Sequence, residues 1–337
     1  MPQALVLLSG GLDSALAAKV LMEQGIEVVG INFFSYFTNP NKARRSAQEL
    51  GIKLIEIDLS DQHLAMVKNP QYGYGKNMNP CIDCHGFMLR EAKRVLLREK
   101  FDFIATGEIL GQRPMSQNKD SLDIVAKISG AEELVLRPLS ANLLKETEME
   151  KIGLVNREKL LAISGRARNE QLKLAKKYNL RAYDSPAGGC LLTDFEFSQR
   201  LIKMFSYWPD CSGNDVQLLK NGRIYWLETI NKNRALIIIA RDQKESESLI
   251  KLAKTGDIII ELINKTGPTT LIRILGAKLS APKKETKILI PEEIKLSALK
   301  IKEPKSENKI INIAGLLTGY YAVKIRGEEA KLKIREI

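Results

Sequence analysis

A run of apolar residues, Ala4–Leu8, stops at Ser9-Gly10-Gly11 and passes into a second apolar-patterned stretch through Leu12-Asp13-Ser14. An unbroken apolar run of this length predicts a strand buried on both faces. Two glycines predict a tight turn with close backbone approach, and Ser14–Gln24 predicts a helix. A glycine turn that leads into a helix N-terminus is an anion cradle, because free backbone N–H groups and the helix dipole both favour negative charge. Ser9 and Ser14 add hydroxyls to that cradle. The spacing is neither Gly-Lys-Ser/Thr nor Gly-x-Gly-x-x-Gly, which sets aside the two commonest phosphate loops. The plainer alternative is a strand–turn–helix whose glycines serve only the turn.

The pattern continues for about half of the chain. Strands are predicted at Ala4–Leu8, Glu27–Phe33, Lys53–Ile57 and Phe103–Ala105, with helices Ser14–Gln24, Lys42–Glu49 and Gly86–Glu99 between them. Such alternation predicts an α/β domain with a doubly wound parallel sheet. Ligands bind beyond the carboxyl ends of the strands in such sheets, so the Ser-Gly-Gly loop, Asn32–Phe33 and Ala105-Thr106-Gly107 should meet in one crevice. Tyr72–Pro80 reads as a mobile loop, 184–190 as an irregular segment after a polar helix at Asn169–Lys177, and Pro209–Gly213 as a linker. From Gly222 the pattern turns to β, with strands at Gly222–Leu227, Ala235–Ala240, Asp257–Leu262 and Thr270–Leu275 and a helix at Glu245–Lys254. A smaller basic α+β domain is therefore expected, giving boundaries of 1–178, 179–214 for the third-cysteine segment and linker, and 215–337. The stretches 281–287 and 300–309 read as exposed.

With 337 residues the chain can bury two cores. No apolar run is long enough to span a bilayer, and the N-terminus lacks the pattern of a secretory signal. The expectation is a cytoplasmic protein with no membrane partner. Net charge is +12, and from Lys220 onward there are 24 Lys and Arg against 14 Asp and Glu, so most of the surplus lies in the last third. That asymmetry points to a polyanion, nucleic acid before membrane; a solvated lysine-rich surface is the alternative.

Four cysteines complete the inventory. Cys81 and Cys84 form a Cys-x-x-Cys at a predicted helix start, where thiolates are stabilised. Cys190 follows Pro186-Ala187-Gly188-Gly189, whose glycines let the backbone approach a bulky group. Three thiolates with one position open suit a [4Fe-4S] cluster. A Cys3His zinc site using His85 or His63, a Cys84/Cys190 persulfide pair, and buried structural thiols all remain as alternatives. Cys211 reads as packing and His85 as a helix-start residue.

With these residues in hand, Ser9-Gly10-Gly11-Leu12-Asp13-Ser14 resembles the pyrophosphate loop of the PP-loop ATP pyrophosphatases, an adenine nucleotide alpha hydrolase-like fold. Thr106-Gly107-Glu108-Ile109-Leu110-Gly111-Gln112, Ser116-Gln117 and Leu136-Arg137-Pro138-Leu139 with Lys145-Glu146 are similar to segments of the tRNA thiouridine synthetases, the 4-thiouridine branch above all. That resemblance covers about residues 4–200. The family's THUMP-containing region and rhodanese-like tail have no counterpart. Cys81, Cys84 and Cys190 instead match thiolases that carry a [4Fe-4S] cluster. Leu218–Arg223, 231–234 and Gly267–Arg273 look like an NFACT-type RNA-binding domain.

The resemblance implies an ATP-dependent tRNA sulfurtransferase that adenylates a uridine carbonyl oxygen, releases pyrophosphate and installs sulfur. ATP would lie on Ser9, Gly10, Gly11, Asp13 and Ser14, with Asn32, Phe33, Thr106 and Gly107 against the adenine. Asp13 would hold Mg²⁺ or orient the pyrophosphate, and Lys145 would neutralise the leaving group. Cys81, Cys84 and Cys190 would hold the cluster, or Cys84 and Cys190 would carry sulfur directly. Arg113 would contact the tRNA backbone or ATP, with an ordinary solvated arginine as the equal alternative, and Asp184 would cap a turn, with a place near the reacting base as its alternative. The partners are tRNA and a sulfur donor, either inorganic sulfide or a cysteine desulfurase. The alternatives are a 2-thiouridine synthetase, a PP-loop amidotransferase or ligase for a small molecule, and a non-catalytic RNA-binding protein.

Overall fold

Neither face of the first strand reaches water: Ala4, Leu5 and Val6 of β1 (Gln3–Leu7) are fully buried. A computed structural model describes residues 1–183, 190–228, 234–275, 286–289 and 307–337. The chain divides into two units at Ser198/Gln199.

In the first unit β1 is followed by α1 (Leu12–Met22), β2 (Glu27–Phe34), α2 (Asn41–Leu50), β3 (Leu54–Asp58) and α3 (Ser60–Lys68). Then come α4 (Cys81–Glu99), β4 (Phe103–Ala105), α5 (Lys119–Ser129), β5 (Val135–Leu136), α6 (Glu148–Lys151), α7 (Asn169–Lys177) and α8 (Phe195–Tyr207), within which the division falls. The strands form one parallel sheet in the order β3-β2-β1-β4-β5. Alternation along β1 separates two cores, as the period of two requires. Ala4 and Val6 pack with Leu16 of α1, Ala47 of α2 and Ala175 of α7. Leu5 packs with Leu89 and Val95 of α4 and Val125 of α5. The sheet is thus wound on both faces, as its alternating sequence predicts.

The order has one consequence for function. The chain runs outward from β1 to β3, then returns to the other side of β1 at β4. The carboxyl ends of β1 and β4 therefore flank the switch point, where α/β sheets open a ligand crevice.

The second unit contains α9 (Gly213–Leu218), β6 (Arg223–Glu228), β7 (Arg234–Ile239), α10 (Gln243–Leu252), β8 (Ile258–Leu262), β9 (Thr270–Leu275), β10 (Thr286–Leu289), α11 (Glu307–Tyr321) and β11 (Glu329–Glu336). Its sheet is antiparallel, in the order β10-β11-β8-β9-β7-β6. Ile237, Ile239, Ile258, Ile260 and Ile272 bury one face against Ile310, Ala314 and Leu317 of α11. The helix α11 and the strands β10 and β11 were not foreseen from the sequence. Residues 209–213, linker-like in composition, are packed: Cys211 is buried, and Ser212 and Asp215 form a reciprocal capping box that starts α9.

Arg273, from one of the RNA-binding-like segments, is a core residue of this unit. Its guanidinium donates to Asp257 at 2.6 Å, to Asp215 and Asn214 at 2.7 Å each, and to the Leu252 carbonyl at 2.9 Å. Burial would raise the Asp215 carboxyl, but Lys254, Ser212 and Arg273 overrule it and hold it near about 2. Residues 184–189, which include Asp184 and the glycines before Cys190, and 231–233 lie outside the described residues, as does most of 281–287 and 300–306. Among the described residues no helix is long and apolar enough to cross a membrane.

Candidate active site

The turn after β1 demands glycine at its second position. Gly10 has φ +78°, and a Cβ there would lie 2.2 Å from the backbone carbon of Lys42. The turn is thereby pressed onto the start of α2. Gly11 then caps α1 from an extended conformation and offers no side-chain cap; its own N–H donates to the Ser9 hydroxyl at 3.3 Å, and no side chain among the described residues bonds the N–H groups of Leu12, Asp13 and Ser14. The first turn of α1 thus keeps unsatisfied donors, which is the state an anion site requires. Ser14 donates to the Gly11 carbonyl at 2.9 Å, and its hydroxyl lies 3.3 Å from that of Ser9. These short contacts hold both hydroxyls at the turn.

The end of β4 closes over the same helix start. A Cβ on Gly107 would stand 2.5 Å from the Ser14 amide nitrogen, so only glycine lets the Thr106-Gly107 turn approach. The end of β2 is tied in as well, since the Asn32 amide donates to the Leu8 carbonyl at 2.8 Å. Its oxygen is buried without a partner among the described residues. The structure therefore brings Ser9–Ser14, Asn32 and Thr106-Gly107 together, with Phe33 next along β2. Lys145 is exposed beyond β5, and no hydrogen bond or ion pair among the described residues joins it to the loop.

Two neighbours of Asp13 escaped sequence reasoning. Gln112 donates to one carboxylate oxygen at 3.0 Å, and an Arg168 nitrogen lies 3.8 Å from the other. That second oxygen and the Arg168 Nε are buried and have no hydrogen-bond partner among the described residues. Gln112 stood within a segment whose resemblance was noted, but nothing local marked it as a partner of Asp13. Arg168 stands before α7, far along the sequence, and carried no signal at all.

Behind the turn, Glu108 accepts from Thr106 at 3.0 Å, from Arg137 at 3.0 Å and bonds His85 at 2.8 Å. Burial would raise its carboxyl, yet Arg137 and His85 hold it near about 2. This pairing explains why a Thr-Gly-Glu segment and a distant Leu-Arg-Pro-Leu segment occur together: one supplies the buried anion and the other its cation. It also fixes His85, next to Cys84, against the turn that closes over α1.

The cysteines gather by a separate set of ties. Cys81 opens α4, and Cys84 lies in its first turn. The segment after Cys190 is stitched back by Met78 N–H to the Leu192 carbonyl at 3.2 Å, Asn77 to the Thr193 carbonyl at 2.7 Å, and Leu191 N–H to the Phe37 carbonyl at 3.0 Å. Tyr72–Pro80 is accordingly bonded in place, with Asp83 accepting from the Gln71 and Tyr72 amides at 3.0 Å each. Burial pushes the Cys84 thiol far up, and the charges of Cys190 and Cys81 push it further. Cys190 is pushed up to about 11 by burial and by Cys81, while Arg113 pulls it down. Three thiols thus feel one another, with one arginine beside two of them.

The chemistry of this donor set fits a soft metal or cluster, which would replace the thiol protons that burial now retains. Among the described residues, however, no three His, Cys, Asp or Glu side chains are already gathered as a metal-holding group. His63, considered as a zinc ligand, is instead buried with its Nδ1 2.8 Å from the Ser35 hydroxyl and its ring edge-on to Phe37. Cys211 is buried as packing.

Residues 2–152 match the family described as "Thiamine biosynthesis protein (ThiI)". A tRNA-specific 2-thiouridylase MnmA of Syntrophotalea carbinolica is 36% identical over 121 residues, covering 31% of this chain and 33% of its own. A probable tRNA sulfurtransferase of Finegoldia magna is 32% identical over 149 residues, covering 42% of this chain and 36% of its own. The chain thus spans about a third of the length of these curated relatives. A solved 4-thiouridine synthetase–RNA complex with bound ATP is 18% identical, covering 64% of this chain and 52% of that one, at a TM-score of 0.38.

Proposed function

We propose that this chain, whose residues 2–152 form a ThiI-family domain, is an ATP-dependent tRNA sulfurtransferase that converts a uridine to thiouridine. The observation that carries this reading is the start of α1 with no side-chain cap, enclosed by Gly10 and Gly107 and bearing an Asp13 oxygen without a hydrogen-bond partner among the described residues. Such a cradle suits the triphosphate of ATP. The free Asp13 oxygen is a ligand that Mg²⁺ would take, supplying charge neutralisation for the phosphates.

In the first step a uridine carbonyl oxygen attacks the α-phosphorus, and the bond to pyrophosphate breaks with its electron pair leaving on pyrophosphate. The α1 amides and Ser14 face the phosphates and stabilise that developing charge. Arg168, beside Asp13, adds a cation that binds the triphosphate in the ground state, and Lys145 remains assigned to the leaving group by resemblance. Asn32, Phe33 and Thr106-Gly107 receive the adenosine. In the second step a sulfur nucleophile attacks the activated base carbon, and AMP departs with the former carbonyl oxygen.

Cys81, Cys84 and Cys190 would hold a [4Fe-4S] cluster, which supplies a soft site for sulfur when bound. Three half-buried thiols coupled by their charges support that assignment, and Arg113 offsets negative charge beside Cys81 and Cys190. Without a cluster, Cys190 would carry a persulfide; attack on the base leaves a mixed disulfide, Cys84 releases the product, and an external thiol reduces the Cys84–Cys190 disulfide. The sulfur donor is inorganic sulfide or a cysteine desulfurase for the cluster route; the persulfide route takes its outer sulfur from the desulfurase's own persulfide, by thiol exchange, because sulfide alone would need an oxidant. The resemblance of the Thr106–Gln112 segment to the 4-thiouridine branch favours 4-thiouridine, whereas likeness to the 2-thiouridylases favours the 2-thio product as the second reading. The NFACT-like second unit, with its cationic surplus, would dock tRNA.

The two steps can be separated. Cys190→Ala should still release pyrophosphate from ATP in the presence of tRNA yet form no thiouridine. Anaerobic purification should give about four irons per chain with labile sulfide, reduced or lost in that variant. Thiolation by Cys190→Ala at the wild-type rate would remove the cysteines from the mechanism.

A further inference from the structure

The second unit carries six arginines from Arg223 to its end, and they divide by partner. Arg234, Arg241, Arg273 and Arg335 each face a carboxylate: Glu228, Glu245, Asp257 with Asp215, and Glu261. Arg223 and Arg326 face none among the described residues. Each lies instead on a tyrosine ring, Arg223 at 4.4 Å from the centroid of Tyr321 and Arg326 at 4.1 Å from that of Tyr320. The two rings meet edge-on at 5.2 Å. Cation, ring, ring and cation thus form one contact chain at the end of α11 and the start of β6.

The surroundings fix the chain in place. Arg326 Nε donates to the Tyr320 carbonyl at 2.8 Å, and the Tyr321 hydroxyl bonds to that of Tyr225 on β6. β6 is an edge strand, paired with β7 alone. Arg223 is exposed, and the rings and Arg326 are half-buried. Guanidinium groups lying on rings keep their charge, and the donors left over, the Arg326 Nη groups among them, stay available to phosphate. An acidic protein surface would be expected to meet lysines equally well; rings interleaved with uncompensated arginines suit a strand of nucleotides better, because bases offer π-faces at every position.

We propose that the chain Arg223–Tyr321–Tyr320–Arg326 is the surface on which the second unit takes a single-stranded stretch of RNA, a loop or the end of the tRNA. This rests on the tRNA reading above and deepens it by naming the contact surface. The arginines meet backbone phosphates, and an unpaired base stacks beside the tyrosines.

The test is tRNA binding by the full-length protein across a salt series. Arg223→Ala/Arg326→Ala should lower affinity about tenfold and flatten the dependence of log K on log salt by about 1.4, as two lost phosphate contacts require. Lys244→Ala/Lys251→Ala removes the same charge from α10 and should change affinity less than about threefold, with screening between exposed sites. Equal losses in the two variants would overturn the assignment while leaving the tRNA reading intact. Absence of tRNA binding by the wild type would instead overturn that reading and the surface with it. Independently of whether the variant folds, photoreactive uridine in tRNA should crosslink to the wild-type segment bearing Tyr320 and Tyr321; crosslinks confined to residues 1–198 would overturn the proposal.

Discussion

The Arg273 cluster of the second unit and the glycine turn of the first treat buried polar groups in opposite ways. In the second, Arg273 spends all three guanidinium nitrogens on two aspartates, an asparagine and a carbonyl. In the first, polar atoms around the glycine turn are left open: one oxygen of Asp13, the oxygen of Asn32 and the Nε of Arg168 have no hydrogen-bond partner among the described residues. Elsewhere in the first unit Gln171 is fully buried with its whole amide unpaired, whereas in the second the Trp208 indole is the one such group among the described residues. Closed networks stabilise a fold, while unmet polar atoms at a strand end await a ligand. The difference separates a framework arginine from a site arginine where sequence alone does not.

The largest effect expected from this contrast is at Arg273. Arg273→Met strands Asp257 and Asp215 in the core and should destabilise the second unit by about 3–5 kcal/mol in denaturant unfolding. A loss below about 1 kcal/mol would show that the network is not a framework device. Asp13→Ala comes next, with pyrophosphate release falling by about 10²–10³-fold and the melting temperature little changed. Wild-type activity in that variant would remove the loop from the chemistry.

A pH profile sharpens the same comparison within the first unit. Burial lowers His63 to about 4 from its ordinary 6.5. The unfolded chain therefore binds a proton that the folded chain refuses, so stability falls as pH drops from about 6.5 to about 4, by up to about 3 kcal/mol. His63→Gln should flatten that window. Glu108 acts in a lower one: its depressed pKa contributes stability above about 4.5 that is lost as pH falls towards about 2. The smallest effect belongs to Arg168→Lys, which keeps charge but shifts its position; KM for ATP should rise by about three- to tenfold, within the usual range for a charge-assisted hydrogen bond, with kcat little altered. Equal falls in kcat and kcat/KM would make Arg168 a transition-state group instead.

Much of the first unit was legible in the chain. Ala4–Leu8 reads as a buried strand because its residues are apolar on both faces, and the glycines mark the turn because a positive φ and backbone contact leave no room for a Cβ. Local pattern therefore reaches Ser9–Ser14 and the Thr106-Gly107 turn. It does not reach Arg168 and Gln112, since their contacts with Asp13 are made across the fold rather than along it. Nor does it separate Arg273 from Arg223: both lie in basic segments, and only the carboxylates facing Arg273 show it to be internal. Residues 209–213 have the composition of a linker, yet a Ser212–Asp215 capping box and a buried Cys211 make them a packed helix start.

The account is tested most directly by incubating unmodified tRNA with ATP, sulfide and either the wild-type protein or Asp13→Ala, then counting pyrophosphate and thiolated nucleosides together. The account predicts one pyrophosphate for each thiouridine formed by the wild type and both products lowered together by about 10²–10³-fold in Asp13→Ala. Pyrophosphate released with tRNA left unthiolated, or thiouridine formed without ATP, would contradict it.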